Sequence, residues 1–477
     1  MLKFKQFTKE ELEDIHLSIV RLIGREMGVK SPTALKKNVL ISNILGIQDG
    51  SVVPEVNANK GAPSKMDADL LKPYLLSEEE RGDYTKDTYK VKTVFEFHDS
   101  EPPKPFVAEG IFEQMKEGYG FLRVNNFENS RTEDVYVSMQ NARKFNIRRG
   151  DKVKAVAKPG DEREAPALQE VLLINDLEPS CFAKRQNFDD FNAEYSTDRI
   201  KLEVEGEDND LSLRCIDLFA PLGMGQRGLI VSAPKTGKTT LLKKIAQSIE
   251  KNYKDVKLFL LLIDERPEEV TDIKRSVKAE VVYSTFDESA EHHIKVTELL
   301  LNRAKRLVEV GQNVVILMDS ITRLARAYNK TIEPSGKTLS GGLDPVALDA
   351  PKRFFGSARN IENGGSLTII STALVETGSR MDDVIYEEFK STGNMEIHLS
   401  RELSEKRIFP AIDLYKSGAR KEELLLTQEE LSKVYKLRKI LAERSDSTDA
   451  LLDMMNKTKT NEEFISKLDA WLKLYQK

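Results

Sequence analysis

The residues with the clearest chemical potential are Gly237, Lys238 and Thr239, which follow a short apolar run at 229–231. Gly237 permits a tight backbone turn, the Lys238 ammonium can reach the β- and γ-phosphates of a nucleotide, and the Thr239 hydroxyl can hold Mg²⁺. Unpaired N–H groups at the start of the helix that follows also favour an anion. The pattern predicts a nucleoside triphosphate site.

The elements around this turn have the order that a phosphate loop requires. The apolar run predicts a buried parallel strand, and apolar residues at helical spacing over 241–249 predict an amphipathic helix behind the turn. Ser232 stands where the usual pattern has its first glycine, so the match to the motif is incomplete. The context still favours a phosphate loop over a chance turn. The predicted loop comprises Pro234, Lys235, Thr236, Gly237, Lys238, Thr239 and Thr240.

Further apolar runs predict the rest of an α/β domain. Strands are predicted at 256–265, 280–285, 313–320 and 366–374, with helical patterns at 290–311 and 321–329 between them. Strands that alternate with helices indicate a mostly parallel sheet, whose ligands bind at the carboxyl ends of the strands.

Acidic residues end two of these strands. Asp319 is predicted to hold Mg²⁺ or its water, because a carboxylate at the end of a buried strand is costly without a positive partner. Glu265 is predicted to polarise the attacking water, with Asp264 as the alternative. A cation is also needed at the γ-phosphate. The candidates for this cation are Arg266, Arg323 and Arg420, and the sequence alone does not show which of them has the role.

Residues 106–178 have the pattern of a small β-barrel. Short strands are predicted at 106–115, 120–124, 134–137, 151–156 and 168–174, separated by turns that carry Gly and charged residues. Five short strands of this kind indicate a closed barrel of the OB or cold-shock type.

Aromatic residues lie on two of the barrel strands. Alternation places Tyr119, Phe121 and Arg123 on one face of the second strand and turns Tyr136 outward from the third. Aromatic rings and an arginine on an exposed barrel face can stack single-stranded bases. The alternative is that these rings fill the barrel interior, although Arg123 would not serve a core.

The rest of the 477 residues narrows the class of protein. Small helices are predicted in residues 1–50, with a capping box at Thr8 and Glu11, and a polar linker is predicted in residues 51–105. A connector is predicted in residues 179–225, followed by the nucleotide domain with its C-terminal helices in residues 226–477. The net charge is -5, so any anion site must be local. The two cysteines and the absence of a long apolar run predict a cytoplasmic protein with no membrane span.

Five longer motifs resemble the bacterial transcription termination factor Rho family. They are LIDERPEEVT at 262–271, DSITRLARAY at 319–328, PKRFFG at 351–356, YEEFKSTGN at 386–394 and FPAID at 409–413. The resemblance is strong over 215–430, fair in the barrel and the N-terminal helices, and absent from 51–105.

The resemblance implies an RNA-dependent ATPase: a ring-shaped homohexameric 5′-to-3′ RNA/DNA helicase with a RecA-like P-loop domain and ATP sites between subunits. Such a protein would move along nascent RNA and release it from the RNA polymerase elongation complex. The implied site residues are Lys235, Lys238 and Thr239 for phosphate and Mg²⁺, Asp319 for Mg²⁺, Glu265 for water activation, Phe409 for adenine, Arg420 as an arginine finger, and Arg266 and Arg323 nearby.

The resemblance also implies two sites for RNA. The barrel would bind pyrimidine-rich RNA through Tyr119, Phe121, Arg123 and Tyr136, while loops 330–342 and 376–381 would offer Lys337 and Arg380 to RNA in the central hole. The family usually carries an aromatic in the segment that corresponds to 160–168, and this chain has none there.

Two other functional classes share parts of these patterns. A subunit of a rotary ATP synthase would have the same nucleotide domain, but it would not need outward aromatics on a barrel. A non-enzymatic RNA-binding protein would have the barrel without a complete set of phosphate-loop, acidic and arginine residues.

Overall fold

The computed structural model describes residues 4–33, 35–54, 70–76, 104–130, 133–160, 164–206, 210–443 and 447–475. The chain divides into two compact units, Met1–Ser100 and Glu101–Lys477. No helix in the described ranges is long and apolar enough to cross a membrane.

The N-terminal unit is a small helical module. Its helices are α1 (Lys9–Asp14), α2 (Leu17–Met27) and α3 (Lys37–Gln48). The predicted capping box is present, with Thr8 and Glu11 each bonding the other's backbone N–H. Part of the predicted linker joins this module, because Leu71 is buried in its core and Leu75 pairs with Phe4. Most of the predicted linker, 55–69 and 77–103, lies outside the described residues.

The second unit begins with the predicted barrel. Strands β1 (Phe106–Gln114), β2 (Gly120–Arg123), β3 (Val135–Val137), β4 (Lys152–Lys158) and β5 (Ala167–Ile174) close in the order β1-β2-β3-β5-β4, with α4 (Met139–Lys144) between β3 and β4. Leu122, Val135 and Val137 point into a core around Phe112. Gly120 is required there, since an added Cβ would lie 2.4 Å from the Phe112 ring. The barrel is as predicted.

The nucleotide domain contains the remaining elements. They are β6 (Ala193–Glu194), β7 (Arg199–Ile200), α5 (Leu211–Phe219), β8 (Leu222–Gly223), β9 (Arg227–Ser232), α6 (Lys238–Asn252), β10 (Lys257–Glu265), α7 (Pro267–Ser276), β11 (Glu280–Thr285), α8 (Ala290–Val308), β12 (Asn313–Asp319), α9 (Ile321–Thr331), α10 (Asp349–Gly356), β13 (Arg359–Ile361), β14 (Ser366–Leu374), α11 (Arg380–Lys390), β15 (Met395–Leu399), α12 (Arg401–Glu405), β16 (Gly418–Ala419), α13 (Gln428–Glu443), α14 (Ser447–Asn456) and α15 (Asn461–Tyr475).

The main sheet has the order β11-β10-β12-β14-β9-β15-β16. Strands β9, β10, β11, β12, β14 and β15 are parallel, and only the edge pair β15–β16 and the β13 extension are antiparallel. Alternate residues of β10 enter two separate buried clusters, Leu260 on one face and Leu261 on the other. The sheet is therefore covered on both faces, as a parallel sheet requires.

The predicted connector is partly wrong, because α5 belongs to the core of the nucleotide domain. Its residues Leu213 and Ile216 pack in the same cluster as Leu241 of α6. The sequence pattern hides this helix, since it carries Arg214, which is buried rather than exposed. The Arg214 guanidinium donates to the carbonyls of Met455, at 2.9 Å, and of Thr458, at 2.6 Å, and so ties α5 to the C-terminal helices.

Candidate nucleotide and nucleic-acid sites

The loop between β9 and α6 has the backbone of a phosphate site. Gly237 precedes α6 with a φ of 93°, a region that glycine enters without steric cost, and Lys235 also has a positive φ of 66°. Thr236 is buried and donates its hydroxyl hydrogen to the Ala233 carbonyl at 2.9 Å. The tight loop therefore ends at the N-terminus of α6, where N–H groups without helical partners favour an anion.

Lys238 joins the ends of two strands. Its Nζ donates to Glu265 Oε1 at 2.8 Å and to Asp319 Oδ2 at 2.6 Å, and both carboxylates are almost fully buried. Burial alone lowers the pKa of Lys238, but the charges of Asp319 and Glu265 and their hydrogen bonds outweigh it and raise the pKa overall. The ammonium thus stays charged where a polyphosphate would be placed.

A bulge in β10 directs Glu265 into the site. The register with β11 shifts between Ile263 and Glu265, and Asp264 between them has a φ of 57°. Arg323 lies 2.9 Å from Glu265 Oε1, and it also donates to the Asp264 carbonyl. The Asp264 carboxylate is more exposed and 4.0 Å from Arg323. The geometry therefore favours Glu265 over the alternative Asp264.

Two residues of the site were missed by the sequence interpretation. Thr372 donates its hydroxyl hydrogen to Asp319 Oδ1 at 2.7 Å and so fixes the carboxylate. The available signal was that 366–374 forms a strand parallel to the one that ends at Asp319. Glu269 on α7 has a raised pKa, because it is partly desolvated and faces the negative charge of Glu265.

Phe409 is carried by the segment after α12, which reaches the same edge of the sheet. The Ser404 hydroxyl on α12 donates to the Lys235 carbonyl at 3.2 Å, and Ile412 pairs with Leu399 at the carboxyl end of β15. The Phe409 ring is 55 % exposed. It is an accessible apolar surface on the segment that follows α12, the helix that contacts the phosphate loop.

Arg420 lies at the other end of the sheet from the phosphate loop. It follows β16, which pairs with Met395 of β15, and Met395 pairs with Gly228 at the start of β9. The phosphate loop follows Ser232, which pairs with Leu399. At roughly 3.3 Å per residue, this pair lies about 13 Å along the strands from the pair of Gly228 and Met395. The structure therefore brings together Lys238, Glu265, Asp319 and Arg323, but not Arg420. Arg266 is exposed at the start of α7.

Three aromatic rings form a cluster on the barrel surface. The ring centroid of Tyr119 lies 6.0 Å from that of Phe121 and 5.7 Å from that of Tyr136, and the Phe121 and Tyr136 centroids are 5.9 Å apart. All three side chains are partly exposed. They are outside the buried barrel core. This aromatic platform, as predicted, can offer ring faces to unstacked bases.

The prediction that Arg123 lies on the exposed face is wrong. Its side chain is only 5 % exposed, and its guanidinium donates to Glu113 at 2.6 Å and to Asp134 at 2.5 Å. Lys295 of α8 shares the Glu113 carboxylate at 3.2 Å. The guanidinium lies 4.9 Å from the Phe121 ring centroid. Arg123 therefore supports the aromatic platform from within the barrel, where two carboxylates, Glu113 and Asp134, hold it.

We expect Arg123→Ala to loosen the barrel. Removal of one partner leaves Asp134 buried without its cation, a change that costs about 3–5 kcal/mol at buried ion pairs. Hydrogen–deuterium exchange of the full chain should show faster exchange in β2 and β3, while Lys116→Ala, at an exposed position of the same barrel, leaves exchange unchanged. Equal protection in both variants would contradict a structural role for the buried guanidinium.

The two loops predicted to face RNA contact each other. Gly341 approaches Met381 so closely that an added Cβ would lie 2.5 Å from the Met381 backbone N. Lys337 and Arg380 are both exposed on these loops. The two predicted RNA-binding cations therefore lie on adjoining segments, Lys337 in the first loop and Arg380 at the start of α11.

Comparison with known proteins agrees with this division into a barrel and a nucleotide domain. The model of the ATP synthase alpha/beta family, nucleotide-binding domain, matches residues 212–419, and that of the Rho termination factor, RNA-binding domain, matches 108–180. Transcription termination factor Rho of Bacillus subtilis (strain 168) is 55% identical over 363 residues, which cover 76% of this chain and 84% of the relative. The chain belongs to the transcription termination factor Rho family.

Other relatives extend this similarity. Rho of Aquifex aeolicus (strain VF5) is 45% identical over 475 residues, 98% of this chain and 97% of the relative. Rho of Escherichia coli (strain K12) is 52% identical over 362 residues, 75% of this chain and 86% of the relative. This Rho-family chain is therefore an ATP-hydrolysing enzyme with an RNA-binding domain, and the alternative of a rotary ATP synthase subunit is wrong.

Proposed function

We propose that this chain is an RNA-dependent ATPase and 5′-to-3′ RNA/DNA helicase that terminates transcription. It assembles as a homohexameric ring in the cytoplasm, moves along nascent RNA and releases the RNA from the RNA polymerase elongation complex. The observation that carries the proposal is the presence in one compact unit of the Lys238, Glu265, Asp319 and Arg323 cluster and of the exposed aromatic platform.

The residues at the strand ends fit ATP with Mg²⁺. Asp319 offers a buried carboxylate fixed by Thr372, and Thr239 offers a hydroxyl in the first turn of α6. One carboxylate and one hydroxyl leave room for the phosphate and water oxygens that Mg²⁺ keeps. Bound there, the ion would neutralise phosphate charge.

Lys238 and Glu265 exchange partners when ATP binds. Lys238 turns its ammonium from the two carboxylates to the β- and γ-phosphates, which frees Glu265 to accept a hydrogen bond from the attacking water. Arg323 keeps the Glu265 carboxylate in place. Pro234, Lys235, Thr236, Gly237 and Thr240 complete the phosphate loop, and Phe409 stacks on adenine.

The position of Arg420 supports ATP sites shared between subunits. The backbone of Arg420 lies at the opposite end of β9 from the phosphate loop of its own chain, so its guanidinium would act on the nucleotide of a neighbouring copy. Arg266 is exposed next to Glu265 and would contact the same shared site. In a closed ring, each copy would present its phosphate loop, at the carboxyl end of β9, to one neighbour and its Arg420, near the amino end, to the other neighbour.

RNA would bind first to the aromatic platform and then to the central loops. Stacking on Tyr119, Phe121 and Tyr136 tolerates any base, and the preference for pyrimidine-rich RNA is what the resemblance to the Rho family implies. Lys337 and Arg380 would track phosphates in the ring. The segment 160–168, where this chain lacks the family's usual aromatic, includes residues 161–163, which lie outside the described part of the chain.

Double substitution of the platform tests its separation from the nucleotide site. We expect Tyr119→Ala with Phe121→Ala to weaken binding of a cytidine-rich oligoribonucleotide at least about 30-fold, since each stacked base contributes about 1–3 kcal/mol. Fluorescence anisotropy measures RNA binding, and a fluorescent ATP analogue measures nucleotide affinity, which should not change. Tyr435→Ala, an exposed tyrosine on α13, is the control. Equal loss of both affinities would contradict a separate RNA platform.

Strand displacement tests the helicase function. The substrate is an RNA–DNA duplex with a single-stranded cytidine-rich RNA tail on either its 5′ or its 3′ side. We expect release of the DNA strand only with ATP and a 5′ tail, together with faster phosphate release. Hydrolysis that no RNA accelerates would overturn the proposal, and hydrolysis without displacement would restrict it to an RNA-stimulated ATPase.

A further inference from the structure

The turn that precedes β15 connects Arg420 to the central strand. The Arg420 backbone N–H donates to the Asn394 carbonyl at 2.7 Å, which continues the β15–β16 pairing by one residue. Asn394 is the last residue before β15. The main-chain position of Arg420 is therefore set by the position of Asn394.

Asn394 is in turn held by Arg227, the first residue of β9. The Asn394 side-chain oxygen accepts the Arg227 backbone N–H at 2.8 Å, and the Asn394 backbone N–H donates to the Arg227 carbonyl at 2.9 Å. One residue thus satisfies both backbone polar groups of Arg227. Only the first of these bonds depends on the asparagine side chain.

The Arg227 side chain fixes the same turn from a second direction. Its guanidinium donates to the carbonyls of Thr392 and Ala358, each at 3.0 Å. The bond to Thr392 holds the chain just before Asn394, and the bond to Ala358, which precedes β13, ties the same guanidinium to a neighbouring segment. No described carboxylate pairs with this guanidinium within salt-bridge distance, so its contacts serve the backbone of the turn.

We propose that Asn394 is a positioning residue for Arg420, and that Arg227 anchors it to β9. This inference rests on the proposed function, in which Arg420 stabilises the transition state at a neighbouring nucleotide. Strand β9 then connects two ATP sites, because the phosphate loop follows its carboxyl end and the anchor of Arg420 lies at its amino end. A finger misplaced by about 1 Å loses much of its effect on the reaction.

A double-mutant cycle between Asn394 and Arg420, in rings of the full-length chain, tests the proposal. We expect Asn394→Ala to lower kcat for ATP hydrolysis roughly three- to tenfold, the range of one lost hydrogen bond, with nucleotide affinity and assembly unchanged. In an Arg420→Ala background the same substitution should lower kcat less than about twofold, because Asn394 acts only through Arg420. Ser391→Ala removes a side-chain hydrogen bond from the same turn and should leave kcat unchanged in both backgrounds.

The outcomes separate this inference from the proposed function. If Arg420→Ala alone leaves kcat intact, the arginine finger itself is wrong and the positioning role falls with it. If Arg420→Ala lowers kcat but Asn394→Ala has no effect, or lowers kcat by the same factor in both backgrounds, only the positioning role is overturned. A loss of nucleotide affinity or of assembly would also overturn it, because both indicate a general structural role.

A second variant reaches the turn without touching Asn394. Arg227→Lys keeps the positive charge but cannot donate to the Thr392 and Ala358 carbonyls with one planar fork. We expect a decrease in kcat in the wild-type background and none in the Arg420→Ala background. A decrease of equal size in both backgrounds would show that Arg227 supports the sheet and not the finger.

Discussion

Lys238→Ala is expected to abolish ATP turnover, with a fall in kcat of at least about a thousandfold. Loss of one well-placed electrostatic donor at developing charge costs about 10²–10³ in kcat. This substitution also leaves Asp319 buried without its ammonium partner and Glu265 with Arg323 alone, so the site has one positive charge fewer for the incoming phosphates. The loss should therefore exceed that of a simple donor.

Acid quench under single-turnover conditions measures this effect, since it counts the phosphate that has formed whether or not the enzyme has released it. Lys243→Ala is a matched control on the same helix, where Lys243 pairs with Asp272 at the surface. It removes one positive charge and should keep the wild-type rate within about twofold, as surface ion pairs contribute little. Residual turnover of Lys238→Ala above about a tenth of wild type would contradict the assigned role.

Arg420→Ala is expected to lower kcat about 10³-fold or more while nucleotide affinity stays the same. An arginine finger contributes about 10³–10⁵ to kcat, and it does so only in the transition state. Since the backbone of Arg420 lies near the start of β9, away from its own phosphate loop, we expect the defect to fall on the neighbouring copy. The control is Lys416→Ala, which removes an exposed positive charge that pairs with Asp413 and should leave kcat unchanged.

Mixed rings distinguish a defect in the neighbour from a defect in the same copy. Rings formed from wild-type and Arg420→Ala chains should lose activity at wild-type phosphate loops that face a mutant copy. The rate then falls faster than the fraction of wild-type chains. A rate that follows this fraction linearly would show that Arg420 acts within its own subunit.

The sequence predicts the strands of both domains well, because their signals are local. The alternation in β2 and the apolar run of β12 each lie within one strand, and the capping box at Thr8 is likewise local to one helix of the N-terminal unit. Asp319 and Glu265 could be assigned to one site since parallel strands present their carboxyl ends at one edge. This assignment used the phosphate-loop motif at 234–240 together with the order of strands and helices.

The errors concern contacts between residues distant in the chain. Arg123 is buried only because Glu113 and Asp134 converge on it in the closed barrel, and Lys295 of the nucleotide domain adds to this network. Alternation along β2 gives no sign of such partners. The bulge at Asp264, which turns Glu265 into the site, is likewise a property of β10 paired with β11.

The central claim is that ATP is cleaved between copies of this chain that hold RNA, and a dilution series tests it most directly. Phosphate release per chain is measured with and without cytidine-rich RNA while light scattering reports the mass of the particle. We expect RNA to accelerate hydrolysis, and both rates to collapse where the ring dissociates into single chains. An unchanged rate per chain at dilutions where only single chains remain would contradict the shared site.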